Sequence, residues 1–229
     1  MRERGIIFSA PMVRALLAGR KTVTRRLVKL SHPPYEAVYP HPGGGWIFVD
    51  RPLVGDAEKV RRQVERLAVG REGKTCPHGK PGDRLWVREA FRLGGGDSLR
   101  GAGGQPRYAP DNVHYRADPD EPPDDRWYPS ILMPRWASRV TLELVDVRPE
   151  RLQDITDEDV RREGAVERTG ADAGLNQGLL LSATNGQWYG PNGHPARDLF
   201  ADGWDALHGR WSWWSNPWVW RVEFRRVER

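Results

Sequence analysis

The sequence predicts an α+β fold, a small β-barrel with peripheral helices and long loop insertions. Three observations carry this reading. Apolar and polar residues alternate over short runs at 84–88, 139–144 and 218–225; short capped helices fall between such runs; and no regular strand–helix–strand repeat builds a parallel sheet. A chain of 229 residues with 38% hydrophobic content can bury one sizeable core. We read residues 1–229 as a single domain with insertions at 31–75, 94–112 and 165–198.

Along the chain, Ser9 stands where a cap belongs and Pro11 in the first turn of a short helix. Met12, Val13, Leu16 and Leu17 form its apolar stripe, and Gly19 ends it. The β-branched run from Lys21 to Val28 leaves it as a strand or an extended loop. Within the first insertion, Asp56 to Ala68 reads as a surface helix with Val60, Val64 and Leu67 on one face. Lys80-Pro81-Gly82-Asp83 is turn chemistry before the strand at 84–88. Gly94 to Ser130 is mostly loop, with a short pairing segment at 113–116. The strand at 139–144 breaks phase at Val145-Asp146-Val147, which suggests a bulge or an end. Thr156 to Asp159 is a capping box for a helix that stops at Gly164, with Glu163 in its last turn. Residues 170–195 read as a glycine-bearing polar loop. Phe200, Trp204 and Leu207 then share a helical face closed by Gly209, and Trp218 to Arg225 is the clearest strand.

Composition excludes several classes. No apolar run is long enough to span a bilayer and the start is not a signal peptide, so the expected setting is cytoplasmic, without a membrane partner. Cys76 is the single cysteine, which removes an internal disulfide and a thiolate zinc site. Gly94-Gly95-Gly96 and the glycines at 101–104 lack the Lys-Ser/Thr of a phosphate loop, and the histidines lack metal spacing. Neither a metal nor a cofactor is expected.

The net charge of +5 is modest, but its distribution is one-sided. Up to Leu30 the bases are Arg2, Arg4, Arg14, Arg20, Lys21, Arg25, Arg26 and Lys29, against Glu3 alone. That pattern suits phosphate, and it equally suits a solvated surface. Within it, Gly19-Arg20-Lys21-Thr22-Val23-Thr24-Arg25-Arg26 follows the first helix and precedes Pro81-Gly82-Asp83-Arg84-Leu85-Trp86-Val87-Arg88-Glu89. Further on come Met133 to Leu142, Arg151 to Ile155 with the helix ending at Glu163-Gly164, and Asn216 to Trp220. These blocks, in this order, resemble the ASCH domain family of the PUA-like superfamily, and in particular its longer phage and prophage proteins. The family's Gly-x-Lys-x-x-Thr-x-Arg motif falls on Gly19, Lys21, Thr24 and Arg26.

The resemblance implies a cleft between the first helix and a barrel, holding RNA or a modified nucleoside. It also implies an activity, either removal of acyl groups from the exocyclic amine of cytidine or cleavage of RNA. The deacylating residues carry over to Lys21, Thr24 and Glu163. Thr24 would be the nucleophile, a neutral Lys21 its base, and Glu163 would orient the pair. A free lysine amine titrates near ~10.4, so this role needs a strong downward shift. It also needs a bend, because Lys21 and Thr24 would face opposite sides of a regular strand. Arg20, Arg25 and Arg26 are the candidate phosphate contacts. Of 11 tryptophans, Trp218, Trp220 and Trp204 read as core, while Trp86 with Arg88, and Trp214, are candidates for stacking on bases. A phage-associated interaction scaffold is the remaining alternative.

Overall fold

The computed structural model describes residues 1–30, 35–94, 113–118, 126–168, 178–182, 188–189 and 196–227. Its fold is mixed α+β. The central sheet has five strands, β1 (Glu3–Ile7), β2 (Val23–Leu27), β5 (Arg84–Arg88), β8 (Thr141–Arg151) and β12 (Trp218–Val227), in the order β1-β5-β8-β12-β2. The β1–β5 pair is parallel and the others are antiparallel. Helix α1 (Ala10–Leu17) joins β1 to β2, the two edges of this sheet, and so must cross it.

That crossing builds the main core. Val13 and Leu16 of α1 pack with Ile6, Leu85, Leu142, Trp220 and Phe224 from the strands. Burying an indole as completely as Trp220, 1% exposed, is worth about 2–3 kcal/mol. The two edge strands are not paired with each other, so the described residues form an open sheet rather than a closed barrel. A side chain links the edges: Arg26 Nη2 donates to the Ile7 carbonyl at 2.7 Å.

Strand β12 is buried on both faces, which the alternating sequence did not show. Its Trp218, Trp220, Val222 and Phe224 join the main core, whereas Val219 enters a second one behind the sheet. That second core contains Val160 of α3 (Asp157–Arg162) and Leu199 and Trp204 of α4 (Ala196–His208). The predicted phase break in β8 is a bulge: Glu223 pairs with Asp146 and Phe224 with Leu144, which skips Val145. Thr156 caps α3 with the reciprocal Asp159 bond, as its sequence implies. Ser9 occupies the cap position of α1 without a capping hydrogen bond.

The first insertion is not a detached loop. Strands β3 (Ala37–Pro40) and β4 (Trp46–Val49) form a hairpin, and Val60, Val64 and Leu67 of α2 (Ala57–Ala68) pack with its Ile47 and Val49. Phe48 meets Trp218 edge-on at 5.5 Å, so the hairpin also covers one end of the main core. Strands β6 (Phe91–Leu93) and β7 (Val113–Tyr115) pair, consistent with the short segment expected at 113–116. The loop at 95–112 lies outside the described residues. The third insertion holds strands where a polar loop was expected: β10 (Gly178–Ser182) pairs with β9 (Val166–Arg168) and β11 (Trp188–Tyr189). The apolar triplet at 179–181 is the signal for a strand there. Among the described residues no helix is long and apolar enough to cross a membrane.

Candidate functional site

The segment after α1 is shaped by Gly19. Its φ of +73° ends the helix, and the amides of Arg20 and Lys21 both return to the Ala15 carbonyl. Thr22 is tied to α3 through the Arg162 carbonyl, at 2.8 Å, and to β12 through the Phe224 amide, at 2.9 Å. Lys21 therefore precedes the strand and is not bound by its alternation. The Lys21 amine is bonded to the Val23 carbonyl and to Glu163 rather than to the Thr24 hydroxyl.

Lys21 Nζ is enclosed by three acceptors, Glu163 Oε2 at 2.7 Å, the Glu163 carbonyl at 2.8 Å and the Val23 carbonyl at 2.9 Å. Three acceptors match the three protons of an ammonium ion; a neutral amine would turn its lone pair toward an oxygen. Burial pushes the Lys21 pKa below its ordinary value of 10.5, against the opposing pull of Glu163. The geometry favours the ion pair. Lys21 thus caps the C-terminus of α3 and anchors Glu163.

Arg25 performs a similar internal task. Its guanidinium reaches Glu163 Oε1 at 3.3 Å, Glu150 at 2.7 Å and Asp159 at 3.0 Å, with no side-chain exposure. Arg221 continues this network through Asp159 and Glu223, and Glu223 binds Arg162. Two cations of the basic N-terminal segment are consequently satisfied by carboxylates. Arg20 is exposed and has no ion pair among the described residues.

A cleft opens in front of this network, with a cavity volume of about 110 Å³. Its walls are Pro11, Met12 and Ala15 of α1, Thr24 to Arg26 of β2, Glu163 with Gly164, and one face of α4. The volume accommodates several water molecules or one small ring. Thr24 is buried and contributes to the cleft wall. Arg26 lies over Phe8 at 5.3 Å, and its Nε is buried without a hydrogen-bond partner among the described residues. Burial lowers the Arg26 pKa, with Glu163 opposing.

The α4 wall is aromatic. Trp204 stacks on His208 with ring centres 4.1 Å apart, and Phe200 lies 6.1 Å from Trp204. The buried Trp204 Nε1 also lacks a hydrogen-bond partner among the described residues. Burial and the nearby Arg26 hold His208 below its ordinary pKa of 6.5, hence neutral at neutral pH. Sequence reasoning read Trp204 as core and did not select His208. The recurrence Phe200, Trp204, His208 at four-residue steps was the available signal.

Comparison with protein-family models, curated proteins and solved structures finds no match.

Other selected residues lie away from the cleft lining. Trp86 and Arg88 stack at 4.9 Å on the sheet face opposite Leu85 and Val87. Arg88 is further committed to the carbonyls of Ile131 and Met133. Trp214 is 70% exposed in the turn after α4. Among the described residues no cluster of three or more His, Cys, Asp or Glu could hold a metal.

Proposed function

We propose that this chain is an ASCH-type, PUA-like protein that holds RNA or a modified nucleoside in the cleft between α1, β2 and α4. One observation carries the reading: Arg26, the Thr24 hydroxyl and the anchored Glu163 carboxylate share a small cavity with the Trp204–His208 wall. A nucleobase needs such a combination, polar groups for its edge and an aromatic or apolar wall for its face. The open five-stranded sheet, crossed by α1 and linked at its edges by Arg26, is compatible with a PUA-like barrel. Cleft binding is measured by calorimetric titration with nucleosides and with acylated cytidines. Arg26→Ala is expected to weaken it about tenfold or more, the usual scale for losing a charged hydrogen bond. Equal binding by parent and variant overturns the reading.

The placement of Thr24 on the cleft wall beside Glu163 favours a second reading, an amidohydrolase acting on acylated cytidine. Thr24 Oγ1 would bond to the acyl carbon as the C–N bond breaks, and its proton would pass to the leaving amine. Water would then cleave the ester, restore the hydroxyl and release the acid. Lys21 and Glu163 serve here as a fixed ion pair behind the nucleophile, with Lys21 no longer the base. Release of cytidine by the parent but not by Thr24→Val, with binding retained, supports this chemistry; no release by the parent at high protein concentration excludes it.

A further inference from the structure

The residues just beyond the cleft form a turn whose construction none of the cleft chemistry uses. Helix α4 ends with Leu207 and His208 on the cleft wall, and Gly209 leads directly into Arg210-Trp211-Ser212-Trp213-Trp214-Ser215. Trp213 is buried in the second core, whereas its neighbours Trp211 and Trp214 are 64% and 70% exposed. Exposing two indoles on one turn sacrifices the burial that normally stabilises tryptophan.

The turn is rigidly held. Asp205, one turn before the end of α4, accepts from the Trp213 amide at 2.7 Å, the Ser212 hydroxyl at 2.8 Å and the Trp211 amide at 3.1 Å. Backbone bonds from Ser215 to Trp211 and from Asn216 to Trp213 close it. Trp211 has a φ of +71°, a left-handed conformation that a bulky side chain seldom adopts. Strain maintained by such a clamp at an exposed aromatic residue is the mark of a binding surface rather than of packing. Arg210 lies over the Trp211 ring at 5.5 Å and has no ion pair among the described residues.

We propose that Trp211, Trp214 and Arg210 form a second binding surface for single-stranded nucleic acid, taking unpaired nucleotides that flank the one held in the cleft. This rests on the cleft reading, and it specifies the ligand as a strand rather than a free nucleoside. Exposed indoles offer faces for stacking without regard to base identity, and the exposed Arg210 guanidinium beside them meets the phosphate. Prior ordering of the turn reduces the entropy lost on binding.

The test is fluorescence anisotropy with labelled single-stranded RNA and DNA octamers of the same mixed sequence. It uses the parent chain, Trp211→Gly and Trp214→Ala. Glycine suits the conformation at 211, and both side chains are at the surface, so the folded state is retained. The parent is expected to bind at least one octamer with salt-sensitive affinity, and each variant to bind it about tenfold or more weakly. Octamer binding unchanged in both variants, or absent from the parent, overturns the proposal. Calorimetry of the parent with the four ribonucleoside monophosphates reports on the cleft alone. An octamer affinity that depends on the turn, with no binding of mononucleotides or of acylated cytidines, would therefore remove the cleft reading and leave the surface.

Discussion

Lys21 illustrates how burial redefines a residue whose type suggests chemistry. In isolation it is a candidate base, but three oxygens within 2.9 Å of Nζ make it a structural cation. Arg25 is transformed in the same way by three carboxylates, whereas Arg26 keeps a buried Nε without a hydrogen-bond partner among the described residues at the cleft. Trp211 makes the corresponding point about strain. Its left-handed backbone costs about 1 kcal/mol that glycine would not incur. Trp211→Gly is therefore expected to raise stability by up to about 1 kcal/mol, measured as a higher urea midpoint at unchanged slope. A stabilised variant that binds the octamer less well would show affinity maintained at the expense of stability.

At the level of elements, the site depends on how closely α1 approaches the end of α3. Gly164 has a φ of +102°, and a Cβ placed there would lie 2.8 Å from Ala15 Cβ and 3.2 Å from Lys21 Cβ. No side chain fits without moving α1 or Lys21. Gly164→Ala is expected to destabilise the protein by about 2 kcal/mol, by backbone strain and overpacking together, as read from urea unfolding. The capping box of α3, the alternation in β5 and the bulge opposite β12 were legible because each is a local pattern. The strands of the third insertion were harder to read, since a short apolar triplet among glycines resembles a loop.

For the molecule as a whole, the turn at Cys76-Pro77-His78 couples stability to pH. Burial, reinforced by Arg26 and Arg4, depresses the His78 pKa from 6.5 to about 4. The unfolded chain then binds more protons than the native one between those values. His78 therefore contributes fully above pH 6.5, and its contribution is lost as pH falls toward 4. The effect is of the order of 3 kcal/mol, and urea midpoints across this range should fall on acidification. His78→Gln should flatten that profile. An unchanged slope in the variant would assign the acid sensitivity to other groups.

Local information was sufficient for the mixed α+β class, the positions of α1 to α4, the strands β5 and β12 and the first half of β8, which continues past its bulge to Arg151, because periodicity and capping residues are contiguous in the chain. Lys21, Thr24, Arg26 and Glu163 were singled out by the resemblance to the ASCH motif rather than by local pattern, and 142 residues separate Lys21 from Glu163. Tertiary structure alone decided what these groups do to one another. It placed Lys21 and Arg25 in a carboxylate network, left Arg26 and Thr24 at the cleft, and brought Trp204 and His208 across from α4. Charge and hydrogen-bond saturation are properties of the neighbours in space, and linear order does not specify them.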